Sequence, residues 1–363
     1  MNNRWLADLS IHNVRVLHDV KLELSSGFNV IWGLNGSGKS SLLEAIHLLG
    51  TGNSFRSNDV KKLITAGESQ LIVRGVITES NGQSTTSALS KDGSKTRIKI
   101  DQQPAYRSSD LAKQMPLRAM HPVNLNLFER GSTPLRQFMD WGVFHVEPEF
   151  HRIWSTYRQA LKQRNFLLKS ARCRYQEVEP WDFQLSELAS QLAQMRNDYL
   201  TALSAELDDL LSDMSGAEEQ ITLKLTHGWP QDQPLHETLK SHFSTDQRRG
   251  YTQHGPHRFG LKAMIEKCNV ADFHSRGQQK HLSCLLFVAQ VKVLSHKELK
   301  KPIVLVDDLL SELDPDRAKN ILHLFGELGV QVIVTAISAN PLMEWLPTPS
   351  VFHVKHGTVI QSK

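Results

Sequence analysis

Cysteine is scarce: three in 363 residues, Cys173, Cys268 and Cys284. They are too few and too far apart for a disulfide framework or a cysteine-paired zinc site, so reduced thiols are the expected state. Long apolar runs are also missing. None approaches the ~20 residues a membrane-spanning helix needs, and the opening MNNRWLADLSIHNVRV lacks the apolar core of a secretory signal. A cytoplasmic location without a membrane partner is the expectation. No internal repeat or long low-complexity tract interrupts the chain. Neither charge sign dominates, with a net charge of +4 and a pI near 8.8, which permits a nucleic-acid partner without requiring one. What is present, 40% hydrophobic and 22% charged residues, is the composition of a soluble globular protein. The length suggests about two domains or lobes.

The strongest local pattern is FNVIWGLNGSGKSSLLEAIHLLG. An apolar, β-favouring run from Phe28 to Trp32 leads into a glycine-rich turn. A helical pattern follows, with Leu42, Leu43, Ile46 and Leu49 on one side. Gly33, Leu34, Asn35, Gly36, Ser37, Gly38, Lys39 and Ser40 fill G-x-x-x-x-G-K-[ST] completely, between strand and helix as the motif requires. Such glycines let successive backbone N–H groups turn toward phosphate oxygens, and the helix N-terminus adds positive potential. ATP and Mg²⁺ are the implied ligands, with Lys39 reaching the β- and γ-phosphates and Ser40 ligating the metal. An ordinary glycine-rich turn would not place Lys and Ser in this register.

The second carboxylate a P-loop needs arrives late. KPIVLVDDLLSELD holds a β-branched strand, Ile303 to Val306, ending in Asp307 and Asp308. Asp307 is placed to hold Mg²⁺ through water, and Asp308 to orient or deprotonate an attacking water. Without the P-loop, two solvated aspartates at a strand end would be the simpler reading. Between these motifs lies DFHSRGQQKHLSCLLF, rich in donors but without a nucleophile, metal cage or acid–base pair. The order HSRGQ, VLVDD, SELD resembles that of the ATP-binding-cassette ATPases: signature loop, Walker B strand, D-loop. The resemblance implies an α/β P-loop head and an ATP-dependent homodimer. Ser275, Gly277 and Gln278 would then face nucleotide held by the other subunit, ahead of a helix beginning near Gln279.

Lys39 and Ser275 are more than two hundred residues apart, much farther than in transporter ATPases, so something large is inserted. From 151 to 175 the sequence carries Arg152, Arg158, Lys162, Arg164, Lys169, Arg172 and Arg174 and no acidic residue. After a break expected at Pro180, Leu185, Leu188, Leu192, Met195, Tyr199, Leu203 and Leu207 recur at helical steps. Glu187, Asp198, Glu206, Asp208, Asp209 and Asp213 make this second segment acidic. Two helices of opposite charge across a short break predict an antiparallel hairpin. The basic helix invites a DNA reading through Arg158, Lys162 and Arg164, with Lys61 and Lys62 as further candidates. The alternative is that its charges face the acidic helix or water.

The whole chain resembles the bacterial RecF recombination mediators, relatives of the SMC ATPases with a very short arm. Besides the ATPase motifs, the carriers are LADLSIHNVRVLHDVKLEL, PLRQFMDWGVFHVEPEF at 134–150, LKQRNFLLK at 161–169, GPHR at 255–258, SRGQQK at 275–280 and VDDLLSELD at 306–314. The resemblance implies an ABC/SMC-type ATPase head (lobe I) with a helical lobe II carrying a short antiparallel arm. Residues 1–130 would form the N-terminal part of lobe I and 131–254 lobe II. Residues 255–363 would carry the signature and Walker B back to lobe I. It further implies ATP-dependent binding of single-stranded and gapped double-stranded DNA at gaps and stalled forks. RecO and RecR would be partners in loading RecA onto strands coated by SSB, in repair, replication and SOS induction. ATP hydrolysis would be slow and would separate the dimer.

Four departures accompany the resemblance. PLRQFMD keeps only Arg136 of the usual two arginines, and Phe259 and Gly260 stand where acidic residues usually follow GPHR. Asp308 replaces the usual Glu. The transporter-type histidine is absent, since Thr335, Ala336, Ile337 and Ser338 occupy that stretch. A transporter-type ATPase subunit is disfavoured by this absence and by the helical insertion. A nucleotide-independent DNA scaffold is disfavoured by the intact P-loop.

Overall fold

A computed structural model describes residues 4–57, 59–93, 95–128, 132–212, 220–296 and 301–362. Asp213, expected in the acidic helix, lies outside the described residues. Two compact units divide the chain, Met1–Asn126 with Arg276–Lys363, and Leu127–Ser275.

The first unit opens with the antiparallel pair β1 (Arg4–Val14) and β2 (Leu17–Glu23). Then come β3 (Phe28–Trp32) and α1 (Lys39–Thr51). The meander of β4 (Gln70–Glu79), β5 (Ser84–Asp92), β6 (Thr96–Ile100) and β7 (Gln103–Ala105) follows. The stretch is completed by α2 (Ser108–Gln114) and β8 (Leu117–Met120). An antiparallel sheet of order β2-β1-β4-β5-β6-β7 results. In β4, Leu71, Val73 and Ile77 are buried while Arg74 is exposed, the period-two pattern of a sheet with one solvated face.

The second unit contains α3 (Ser132–Val146), α4 (Phe150–Leu168), α5 (Tyr175–Ser212) and β9 (Ile221–Thr226). It continues with α6 (Leu235–Ser241), α7 (Phe243–Arg249), β10 (Gly260–Ile265), β11 (Cys268–Asn269) and α8 (Val270–Phe273). Here the structure departs from the sequence reading in three ways. The hairpin turns at residues 169–174, and Pro180 sits inside α5, where its missing N–H removes a single hydrogen bond near the helix start. The unit is not purely helical, because β9, β10 and β11 form an antiparallel sheet. Residues 255–275, expected to open the return to lobe I, belong to this unit instead, since β10 pairs with β9 along its whole length.

The hairpin is locked at both ends. Near its turn, Arg164 is fully buried. Its Nε donates to Asp182 on α5 at 2.5 Å, and Nη1 donates to Asp246 on α7 and to the Thr252 hydroxyl, both at 2.7 Å. A guanidinium holding two buried carboxylates cannot also reach DNA, so Arg164 is removed from the DNA candidates. At the open end, Arg196 of α5 pairs with Asp140 of α3 at 3.0 Å and lies 3.7 Å from the centre of the Phe259 ring.

Returning to the first unit, the chain forms α9 (Arg276–His296), β12 (Ile303–Val306), α10 (Leu309–Glu312) and α11 (Pro315–Glu327). It ends with β13 (Val332–Ala336), α12 (Asn340–Trp345), β14 (Ser350–Lys355) and β15 (Thr358–Ser362). A second sheet of order β15-β14-β3-β13-β12-β8 is parallel except for β15. All four residues of β12 are buried, as expected of a parallel strand covered on both faces. Between the sheets, Leu42, Leu43, Ile46 and Leu49 of α1 join a core with Leu9 and Ile11 of β1, Val73 of β4, and Leu305, Ile333 and Phe352. Ala45 and Leu48 are buried as well, so the apolar stripe read from sequence extends around the helix.

Replacing Arg164 with Leu should strand Asp182 and Asp246 as unpaired buried carboxylates and cost about 3–5 kcal/mol at neutral pH. Burial already raises the Asp182 pKa despite Arg164. Without Arg164 it rises further, so the penalty should shrink as pH falls and the carboxyl takes up a proton. Urea unfolding across pH checks this. Unchanged stability would contradict the network's role.

Candidate functional site

The P-loop leaves the C-terminal end of β3, and Asp307 follows the C-terminal end of β12, with only β13 between these strands. Loops at the carboxyl ends of parallel strands converge on one crevice. That is why residues 40 and 307 meet: the Ser40 hydroxyl donates to Asp307 Oδ1 at 3.1 Å.

Backbone shape makes the loop a cradle. A Cβ on Gly33 would collide with the Val354 carbonyl oxygen. Gly36 has a left-handed φ of 78°. Gly38 caps α1 at φ 118° without a side-chain cap, and the first turn holds no acidic residue. The helix N-terminus therefore retains N–H groups and positive potential for an anion. The buried Ser37 hydroxyl has no hydrogen-bond partner, while Leu34, Asn35 and Gly36 are exposed. Lys39 folds over the loop, its ammonium donating to the carbonyls of Gly33 at 2.7 Å and Leu34 at 3.1 Å. Burial lowers the Lys39 pKa, opposed by Asp308 and Asp307. These features fit a polyphosphate.

Asp307 is buried, and burial raises its pKa; hydrogen bonds from Thr335 and Ser40 oppose that rise, Asp308 adds to it, and the nearby Arg56 charge opposes it. Among the described residues no group of three or more His, Cys, Asp or Glu side chains could enclose a metal. The adjacent hydroxyl of Ser40 and carboxylate of Asp307 are hard oxygen donors of the kind that fit Mg²⁺, whose other ligands would be phosphate and water. Asp308 adopts a left-handed backbone conformation at φ 52° and ψ 47°. A non-glycine residue there stores roughly 1–3 kcal/mol of strain, a feature that clusters at functional sites.

Two contributors escaped the sequence reading. The Thr335 hydroxyl donates to Asp307 Oδ1 at 2.8 Å and accepts the Asp308 N–H at 2.9 Å, fixing the Asp307 carboxylate and the Asp308 backbone. Its strand position was visible, but it was read only as the absence of a histidine. Arg56 sits in a loop held by the Ser54–Glu44 hydrogen bond and by Phe55, stacked 4.6 Å from His121. No spacing rule ties it to the P-loop.

In the signature, Ser275, Arg276, Gly277 and Gln278 are exposed, and a Cβ on Gly277 would meet nothing within 4 Å. The helix α9 begins at Arg276, not near Gln279, so Gly277 and Gln278 belong to its first turn. A 2.6 Å ion pair from Lys280 to Glu312 joins this helix to SELD. Lys61 and Lys62 are exposed.

The model of the RecF/RecN/SMC N terminal domain matches residues 5–359. The chain is 38% identical over 357 residues to the DNA replication and repair protein RecF of Vibrio campbellii, covering 98% of this chain and 99% of that one. The chain belongs to the RecF family. The RecF of Vibrio cholerae is 39% identical over 363 residues, with 98% and 99% coverage. Among solved structures, the recombination mediator protein RecF-ATP in the RecFOR pathway superposes with a TM-score of 0.87 at 26% identity, covering 99% and 98% of the chains. An Smc head domain from Pyrococcus furiosus matches at TM-score 0.62 and 17% identity, which shows the fold alone. The fold is accordingly the RecF and SMC head, with the expected α/β class.

Thr335→Val removes a hydroxyl that bonds both carboxylate residues while keeping side-chain volume. It should cost about 1–3 kcal/mol by leaving the Asp308 N–H unsatisfied, and raise the Asp307 pKa further. Thr335→Ser should retain both properties. Denaturant unfolding with NMR titration of the carboxyl is the check, and an unchanged Asp307 titration would contradict the assignment.

Proposed function

We propose that this chain is an ATP-dependent DNA-binding protein of replication and repair. Its single P-loop site is completed only when two copies meet, and it works as a recombination mediator at gaps and stalled forks. The observation that carries the reading is the Ser40–Asp307–Thr335 constellation at the mouth of the P-loop cradle. Gly33, Leu34, Asn35, Gly36, Ser37 and Gly38 hold ATP phosphates through the backbone, and Lys39 neutralises the β- and γ-phosphates. Ser40 and Asp307 would hold Mg²⁺, which when bound would offset the negative charge of the phosphates. Asp308 orients or deprotonates the attacking water. Ser275, Gly277 and Gln278, exposed at the start of α9, serve the partner's nucleotide and make dimerisation depend on ATP.

RecF solved with ATP in the RecFOR pathway supports the ATP and mediator reading. RecO and RecR as partners, RecA loading onto SSB-coated strands and a part in SOS induction belong to the same proposal. Slow hydrolysis separates the dimer. A cytoplasmic location agrees with the lack, among described residues, of any helix long and apolar enough to cross a membrane.

Asp308→Asn keeps shape and hydrogen bonding but cannot accept a proton. ATP should still bind, while turnover falls by about 10²–10⁴-fold and the dimer holds DNA longer. Single-turnover kinetics decide it; wild-type turnover would assign the water to another group.

Complementation tests the shared site. Lys39→Ala should weaken ATP binding about 10- to 150-fold through loss of its charged hydrogen bonds. Ser275→Arg should bind ATP normally yet neither dimerise nor hydrolyse. Mixed, the two chains assemble one complete site from the P-loop of the Ser275→Arg chain and the signature of the Lys39→Ala chain, so partial ATPase activity should return. No rescue in a mixed dimer, or a Ser275→Arg monomer unable to bind ATP, would place the signature in cis.

A further inference from the structure

We propose that the outward face of α4, continued by the C-terminal end of α7, binds single-stranded DNA. This rests on the DNA-binding reading above and specifies its surface and strand type. The helix α4 buries Ile153, Tyr157, Ala160, Arg164 and Leu168. At 3.6 residues per turn, that stripe leaves Arg158, Lys162, Phe166 and Lys169 on the other side, and all four are exposed. Phe166 is 71% exposed, a large cost for an aromatic ring with nothing to cover it.

Trp154, Arg158, Lys162, Asn165, Phe166 and Lys169 line one open groove along this face. Trp154 is a fixed platform. Its ring is nearly parallel to those of Tyr157 (10°, 5.6 Å) and Phe150 (3°, 6.4 Å), and the Arg196 guanidinium lies 5.3 Å from its centre. Trp154 and Phe166 stand roughly 18 Å apart along the axis at 1.5 Å per residue, room for several nucleotides.

A second element adds charge. The Gln247 amide donates to the Cys173 carbonyl at 2.8 Å and to that of Ser170 at 3.2 Å, tying α7 to the hairpin turn. This brings exposed Arg248 and Arg249 beside Lys169 and Arg172. Among the described residues, none of Arg158, Lys162, Lys169, Arg172, Arg248 and Arg249 pairs with a carboxylate; of the basic helix, Arg152 pairs with Glu149 and Arg164 is buried on aspartates. The acidic residues of α5 therefore do not neutralise this face. Unpaired cations interleaved with an exposed ring and a fixed ring are the chemistry of strand binding, in which bases stack and the backbone is neutralised. A duplex hides its base faces and would give Phe166 no partner.

The test uses full-length protein and fluorescence anisotropy, with an oligo(dT) strand and a duplex of equal length, over a range of salt, with ATP present. Phe166→Ala should weaken oligo(dT) binding about tenfold and leave duplex binding within twofold. Arg158→Ala and Lys162→Ala should each lower the log–log salt slope for oligo(dT) by about 0.7. Mass and ATP affinity, measured on the same samples, should match wild type. Wild-type oligo(dT) affinity and slope in all three folded variants would overturn the surface while leaving the DNA reading standing. Failure of wild-type protein to bind any DNA would sink the broader reading first. Equal losses on strand and duplex would overturn the single-strand assignment. Unchanged DNA binding with lost capture of an oligo-glutamate peptide would assign the face to an acidic protein segment instead.

Discussion

One hydrogen bond, from the hydroxyl of residue 40 to the carboxylate of residue 307, sets the terms for the rest of the molecule. Its partners come from opposite ends of the chain, and only a sheet assembled from both ends can bring them together. β3 pairs with β13 and β14, and β12 pairs with β8. No segment of the first unit can therefore build the crevice alone. The buried surface of α1, shared between the two sheets, supplies the apolar stabilisation that such long-range pairing requires.

The electrostatics of the crevice follow from that meeting. Two adjacent carboxylates and one lysine are drawn into a partly buried space, where the carboxylates oppose the burial-driven fall in the Lys39 pKa and Asp308 adds to the rise at Asp307. Thr335 binds to both aspartate residues, and Asp308 is held at a positive φ. Such strain persists only where surrounding contacts over-determine the backbone. The inserted unit solves a separate problem, tying a long hairpin to helices and loops remote in sequence, with buried ion pairs beside apolar side chains such as Tyr157, Leu192 and Tyr199. Arg164 and Arg196 each gather segments distant in sequence, at a cost in desolvation repaid only by complete hydrogen bonding.

Much of the crevice was legible in the sequence because its parts obey local rules. The strand before the P-loop was read at Phe28–Trp32 and the Walker B strand at Ile303–Val306, and the structure gives these same bounds. Short buried strands flanked by glycine, proline or aspartate leave little freedom in their limits. What depended on tertiary context was lost. Pro180 looked like a breaker, yet early in a helix its missing donor costs one bond. Arg164 was indistinguishable from its basic neighbours until Asp182 and Asp246 appeared around it, and Arg248 and Arg249 gave no periodic signal at all. Thr335 carries no motif, and its value comes from β13 lying between β3 and β12. The resemblance, not the spacing of residues, carried the family.

The central claim is that each chain holds half of a composite nucleotide site. Sedimentation equilibrium of the full chain, with Mg²⁺ and either ATP or no nucleotide, addresses it most directly. The account predicts a 41.1 kDa monomer without nucleotide and twice that mass with ATP. A chain that binds ATP to saturation and stays monomeric, or one that dimerises equally without it, would contradict the account.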